Sequence, residues 1–393
     1  MPYDFDKPVE RRNTHSLKWD VKENELPMWV ADMDFQTAPE ILAAIQKRAA
    51  HGVFGYSIVP EEWYQAYTGW WERRHGFSME KDWLIFCTGV VPAISSMVRK
   101  LTTVGENVLI QTPVYNIFFN SIVNNGRNVI ESPLRYDGNT WQMDFEDLER
   151  KLSDPQTTLM ILCNPHNPVG RIWSREELEQ VGELCRKCHV TVISDEIHCD
   201  LTAPGQEYVP FASVSESCRN NCITCIAPTK AFNLAGLQTA AVMVPESNLR
   251  HKVWRGLNTD EIAEPNSFAV EAAIAAFAKG ETWLNELQIY IQKNKDFAEK
   301  FLRKELSQVK MAPSQATYLL WLDCRNVIGC VSELAAYLRE HTGLYLCAGY
   351  EYGGSGHFFL RMNAACPRNR LEDGLNRLKN GVAAYEEWTM ARC

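Results

Sequence analysis

The fold is decided between Thr158 and His198, TLMILCNPHNPVGRIWSREELEQVGELCRKCHVTVISDEIH, which reads as strand, turn, helix, strand. Thr158-Leu-Met-Ile-Leu-Cys163 and Val190-Thr-Val-Ile-Ser194 are short apolar runs, and the second is rich in β-branched residues, which suit a pleated, buried surface. Between them Ser174 to Cys188 has helical periodicity and opens on Ser-Arg-Glu-Glu, an N-cap with acidic residues in the first turn. A strand–helix–strand unit implies parallel strands. Working outward, Val108-Leu-Ile-Gln111, Cys222-Ile-Thr-Cys-Ile-Ala227 and Ala240-Ala-Val-Met-Val244 repeat the strand pattern with helical stretches between, so the chain is read as an α/β protein with a mostly parallel, doubly wound sheet. Past Thr282 to Leu306, one long amphipathic helix, the pattern changes to strands at Thr317 to Leu322 and Phe358 to Met362 with helices between, which predicts a smaller α+β domain. The first 35 or so residues, rich in Trp, Asp and Met, fit neither pattern and are assigned to the small domain, giving a large domain over 40–280 and a discontinuous small one over 1–39 and 281–393.

The bulk numbers narrow the function. With 393 residues, 46% hydrophobic and 23% charged, the chain has the composition of a globular protein with a large core. A net charge of −9 and a pI near 5.6, with no basic run interleaved with aromatics, argue against nucleic acid as a partner. The start, Met1-Pro-Tyr-Asp-Phe-Asp-Lys, has no apolar leader, and no run approaches the roughly 20 apolar residues that span a bilayer, so a cytoplasmic protein without membrane attachment is expected. Thirteen cysteines are read as reduced thiols packed as small hydrophobes. Cys185/Cys188 and Cys222/Cys225 have zinc-like spacing, but the first pair ends a helix and the second lies in a strand, where positions three apart face opposite sides; no metal site is expected.

Three segments at or after strand ends carry candidate chemistry. Asn164-Pro-His-Asn-Pro-Val-Gly170 forces a turn and presents two Asn amides; alone, it is as well explained as a plain turn. Ser194-Asp-Glu-Ile-His198 places a carboxylate at the end of an apolar strand, where burial is costly unless a partner such as a protonated ring nitrogen is present; a strand-end cap is the plain alternative. Ala227-Pro-Thr-Lys-Ala-Phe-Asn-Leu-Ala-Gly-Leu237 sets Lys230 among small and apolar residues, where desolvation lowers an amine's pKa toward nucleophilic use; a surface lysine is the alternative.

Taken in order and spacing, these three segments resemble the signature of fold-type I pyridoxal 5′-phosphate (PLP) enzymes, aminotransferase class I/II, and the resemblance covers nearly the whole chain. Met28-Trp-Val-Ala-Asp-Met-Asp-Phe35, Phe54-Gly-Tyr-Ser57, Thr88-Gly-Val-Val-Pro92 and Gly353-Gly-Ser-Gly-His-Phe-Phe-Leu-Arg-Met-Asn-Ala-Ala-Cys-Pro-Arg368 narrow it to the MalY/PatB-type cystathionine β-lyases. The resemblance implies an aspartate-aminotransferase-like fold with a seven-stranded large-domain sheet. It implies Lys230 as the Schiff-base lysine, Asp195 as partner of the pyridine nitrogen, Asn167 on the phenolic oxygen with His198 beside it, and Tyr115 stacked on the ring. The N–H groups of Val90 and Val91 after Gly89, with Thr229, would hold the phosphate; Tyr56 would reach it from a neighbouring subunit, implying a homodimer. Arg361 would clamp the substrate α-carboxylate, with Asn167 beside it and Ala31, in the Trp29 to Phe35 segment, as part of a substrate-side wall. The chain departs from the pattern at Gln238, where many relatives carry a phosphate-binding Arg, and at Ala227, where some carry Ser.

The same resemblance implies β-elimination from L-cystathionine or a related cysteine S-conjugate, giving a thiol, pyruvate and ammonia, with Lys230 moving the α-proton. Transamination would use the same lysine. A PLP-binding regulatory protein of low turnover is a rival of another class, opposed by the intact set Lys230, Asp195, Asn167 and Arg361. A nicotinamide enzyme would need a Gly-x-Gly-x-x-Gly loop after an early strand, which the chain lacks.

Overall fold

A computed structural model of the protein describes residues 3–392; Met1 and Pro2 of the start, and the thirteenth cysteine, Cys393, lie outside the described residues. Its centre is a seven-stranded sheet in the order Leu84–Cys87, Ala240–Met243, Cys222–Ile226, Thr191–Asp195, Thr157–Cys163, Asn107–Ile110, Asn128–Glu131. The last five pair in parallel, and Ala240–Met243 runs against both its neighbours. The five apolar runs read from the sequence are all strands of this sheet. Leu84–Cys87 and the edge strand Asn128–Glu131 are the additions. The latter is partly exposed and ends in Glu, so its polar face gave no continuous apolar run.

Strand alternation divides the core. Leu159 and Ile161 pack on the layer containing Ile94 and Met97, whereas Met160 and Leu162 pack on the layer containing Leu178 and Val181. The helix Arg175–Lys187 closes the second layer, and its start is the capping box that Ser174 and Glu177 supply: Ser174 Oγ accepts from the Glu177 N–H at 3.2 Å and the Glu177 carboxylate accepts from the Ser174 N–H at 2.7 Å. Val90–Leu101, after the first strand, starts at Gly89 without any side-chain cap, which leaves its first N–H groups at the edge where the parallel strands end.

The 25-residue helix Glu281–Glu305 leads into a four-stranded antiparallel sheet in the order Lys310–Met311, Leu319–Asp323, Phe359–Asn363, Cys347–Ala348. Arg361 sits on an inner strand, opposite Trp321 on one side and Cys347 on the other. The segment before residue 36 is shared between the two cores. Leu26–Pro27 pairs with Leu344–Tyr345, and Trp19, Leu26 and Met28 pack beside the small sheet. Phe5, Met33 and Phe35 instead join the core of the large sheet, with Phe5 and Phe35 against Tyr290. It runs as a strap with little regular structure because side chains satisfy its backbone. Asn363 Nδ2 donates to the carbonyls of Val30 and Asp32, and Asn233 exchanges hydrogen bonds with Met33 and donates to Phe35 O.

Candidate active site

Cys163 stands opposite Asp195, and Asp195 opposite Cys225, so the three chemistry-bearing segments leave adjacent strands at one edge of the sheet. There the half-buried Lys230 donates from Nζ to the Ala31 carbonyl at 2.7 Å, and the Tyr318 hydroxyl donates to the same oxygen at 2.9 Å. Burial brings the Lys230 amine down to about 8; the like charge of Arg361 pushes the same way, while Asp32 and Asp195 oppose. Asp195 is buried with one backbone donor, the Ile197 N–H at 3.1 Å, and burial raises its carboxyl to about 7 against the pull of that N–H and of Lys230. His198 is taken down to about 3 by burial and by the charges of Lys230 and Arg361, so it is a neutral imidazole at physiological pH, and its Nδ1 is buried without a partner among the described residues.

Arg361 is buried. One NH2 nitrogen donates to Trp29 O at 2.9 Å, NH1 lies 3.4 Å from Asn167 Oδ1, the guanidinium stands over the Tyr352 ring at 5.0 Å, and Nε has no partner among the described residues. No carboxylate among the described residues lies within 4.0 Å of it. A guanidinium cannot shed its charge, so a buried one without a counter-ion marks a place for an anionic group from outside the chain. Tyr115 is half-buried within the fields of Arg361 and Asp195; burial raises its hydroxyl, which therefore stays protonated.

Lys230, Asp195, His198, Tyr115, Asn167, Arg361 and the Ala31 carbonyl are thus brought together. Thr229 is buried beside Lys230, and Val90 and Val91 are the first two residues of the uncapped helix. Gln238 is exposed in a left-handed conformation at φ 52°. Tyr56 is wholly exposed at 103% and takes no part in the cluster within one copy of the chain. A surface groove of about 710 Å³ between the helices Pro39–His51 and Ala269–Lys279 shares no residue with these. Neither Cys-x-x-Cys pair belongs to a compact ligand group. The one such group among the described residues is His75, Cys199 and Asp200, where Asp200 already accepts from Trp70 Nε1 at 2.9 Å and lies 3.5 Å from Arg74.

The family model for aminotransferase class I and II matches residues 24–378. The chain belongs to that family. It is 44% identical over 386 residues to the cystathionine beta-lyase PatB of Bacillus subtilis, covering 96% of this chain and 100% of the relative, and 33% identical to protein MalY of Escherichia coli, covering 97% and 99%. Among solved structures it is similar to a PLP-bound putative aminotransferase from Clostridium difficile, with a TM-score of 0.94, 38% identity and 97% and 100% of the two chains covered. It is equally similar in shape to cystalysin from Treponema denticola, which contains PLP, at a TM-score of 0.94, 31% identity and coverage of 98% and 100%. The resemblance to the MalY/PatB-type group and to the aspartate-aminotransferase-like fold is therefore borne out.

Several residues in and around this cluster carried no separate signal in the sequence. Tyr318 lies in the small-domain strand pattern and reads as a core aromatic, yet its hydroxyl shares the Lys230 acceptor. Asn233, three residues past the lysine, ties that loop to the strap carrying Ala31. Glu196, adjacent to Asp195, turns to the opposite face of the chain, where Ser194 Oγ donates to it at 2.7 Å, the Phe211 N–H at 3.0 Å, and Tyr208 as well; burial raises its carboxyl to about 8.

Proposed function

We propose that the chain is a PLP-dependent carbon–sulfur β-lyase that cleaves L-cystathionine or a related cysteine S-conjugate to a thiol (homocysteine from cystathionine), pyruvate and ammonia. The observation that carries this is Arg361, a buried guanidinium with no carboxylate within 4.0 Å among the described residues, held by Asn167 and Trp29 in the same charged cluster as the Lys230 amine. An α-amino acid brings the carboxylate that Arg361 lacks. Whole-length similarity to relatives named cystathionine beta-lyases supports the leaving group at the β-carbon.

The residues present fit the cofactor. Asp195 is a buried carboxyl with a single backbone donor, suited to sharing a proton with a pyridine nitrogen. Lys230 would carry PLP, Asn167 and His198 would face its phenolic oxygen, Tyr115 its ring face, and the Val90 and Val91 N–H groups with Thr229 its phosphate. Bound there, PLP supplies an electron sink for the charge left at Cα. Arg361 orients the substrate through its α-carboxylate with Asn167 beside it, and the Ala31 strap walls the substrate side. Lys230 Nζ, half deprotonated near pH 8, takes the proton from Cα, and Asp195 holds its proton at the ring-nitrogen position. The β-carbon–sulfur bond then breaks, the thiol leaves with a proton, and water releases pyruvate and ammonium, so that R–S–CH2–CH(NH3+)–COO− plus H2O gives RSH, pyruvate and NH4+.

A homodimer follows from the same reading. Val53, Phe54, Tyr56 and Ile58 form a run of exposed large apolar residues, which suits an interface, and Tyr56 would reach the partner subunit's phosphate site. No helix among the described residues is long and apolar enough to cross a membrane. Pyruvate released from L-cystathionine without an added keto acid is the expected result; strict dependence on a keto acid would move the reading to transamination.

A further inference from the structure

The turns Gly349–Tyr352 and Gly354–Phe358 are docked onto the segment that carries Tyr115. The Val114 N–H donates to Tyr352 O at 2.9 Å, and Gly353 is so close to Phe119, Glu131 and Thr112 that a Cβ would lie 2.7 Å from the Phe119 ring. Tyr352 in this turn underlies Arg361. Its neighbour Glu351 is at the surface, where the Asn116 side-chain N–H2, one residue beyond Tyr115, holds Glu351 Oε2 at 3.4 Å. Glu351 therefore stands on the rim between the two elements that supply the ring-facing Tyr115 and the carboxylate clamp. Shielding by the turn raises its carboxyl, and the positive field of Arg361 opposes that. No cation pairs with Glu351 within 4.0 Å among the described residues.

We infer that Glu351 is a specificity-determining residue that reads the charge at the far end of the substrate's sulfur substituent, favouring a distal ammonium over a distal carboxylate. This rests on the lyase reading, in which Arg361 takes the α-carboxylate and the sulfur substituent is left to extend toward the rim. A rim carboxylate attracts an ammonium and repels a carboxylate, and its partial exposure keeps each effect moderate. Asn116 is the one hydrogen-bond donor to the Glu351 carboxylate among the described residues, at 3.4 Å.

The test compares S-(2-aminoethyl)-L-cysteine with S-(2-carboxyethyl)-L-cysteine on the holoenzyme, by kcat/KM from thiol release and by Kd from the change in visible absorbance. The ammonium probe should be preferred by about tenfold, the ratio should fall toward unity in Glu351→Gln, and it should invert in Glu351→Lys. A wild-type ratio at or below unity, or a ratio that neither substitution moves, overturns the inference. Absence of thiol release from both probes with the Kd ratio still collapsing in Glu351→Gln would remove the lyase reading and leave the charge reading standing.

Discussion

Two buried aspartates, Asp34 and Asp195, show how the same side chain serves opposite ends. Asp34 Oδ1 accepts from Lys18 Nζ at 3.0 Å, Trp19 Nε1 at 2.8 Å and Arg11 at 2.8 Å, and Arg370 forms an ion pair with Oδ2 at 2.9 Å. Burial would raise its carboxyl, but Lys18 and Arg370 hold it below the usual range, and the ionised hub pins the strap that carries Ala31 to Lys230. Asp195 is as deeply placed, with one backbone N–H, and burial raises it to about 7. The first carboxylate stabilises the fold; the second is kept under-satisfied at a strand end where a cationic ring nitrogen can complete it.

Breaking each aspartate should give effects of opposite sign. Asp195→Asn should lower turnover by about 10²–10⁴-fold while leaving the cofactor-free protein more stable at pH 8 by about 1–3 kcal/mol, since an amide carries no buried charge; steady-state kinetics and urea unfolding of the apoprotein check both. Asp34→Asn should destabilise the protein by about 3–5 kcal/mol, because Lys18, Arg11 and Arg370 lose the charge that balances them, with Asp32 alone remaining beside Lys18 and Arg11. Loss of stability in the Asp195 variant equal to that in the Asp34 variant would erase the distinction.

The pH dependences sharpen it. Asp34, held low in the fold, contributes stability that is present above its unfolded pKa of about 4 and is lost as pH falls through its folded value. Asp195, raised to about 7, works the other way. The unfolded chain ionises from about pH 4 and the folded one only near 7, so its contribution declines as pH rises across that window and is level above it. Unfolding of wild type, Asp34→Asn and Asp195→Asn in urea from about pH 2 to pH 8 should separate the two, the Asp34 slope lying below about pH 4 and the Asp195 slope between about 4 and 7. Acylation of Lys230 in the apoprotein should show a midpoint near pH 8, moving upward in Arg361→Leu, where the repelling guanidinium is gone. The smallest effect expected is for Tyr56→Phe, a weakening of PLP binding by roughly 3–10-fold measured by cofactor titration, in line with the net worth of one ordinary hydrogen bond.

Much of this was legible in the sequence because the parallel sheet needs continuous apolar strands, and its ligand-bearing loops must follow them. Thr158–Cys163 and Val190–Ser194 are legible in that way, and with them the turn and the strand end that hold Asn167 and Asp195, although the roles of those two residues came from the family pattern. Lys230 needed the family pattern, since a Thr-Lys-Ala triplet alone does not reveal burial. The strap over residues 28–35 was opaque for a physical reason. Its backbone is satisfied by the side chains of Asn233 and Asn363, hundreds of residues away, and not by a ladder with a period of its own. Asp34 and Tyr318 were invisible for the same cause, because their roles depend on donors and acceptors that only the tertiary fold assembles.

The central claim, that Lys230 carries PLP in a site built for β-elimination, is tested most directly by the visible spectrum of the purified protein and its Lys230→Ala variant, with L-cystathionine then added and pyruvate followed. The account predicts a band near about 420 nm that borohydride fixes to the chain, that is absent in Lys230→Ala, and that accompanies pyruvate release without a keto acid. A wild-type protein showing no such band after incubation with PLP, or a variant that keeps it fixed to the chain, would contradict it.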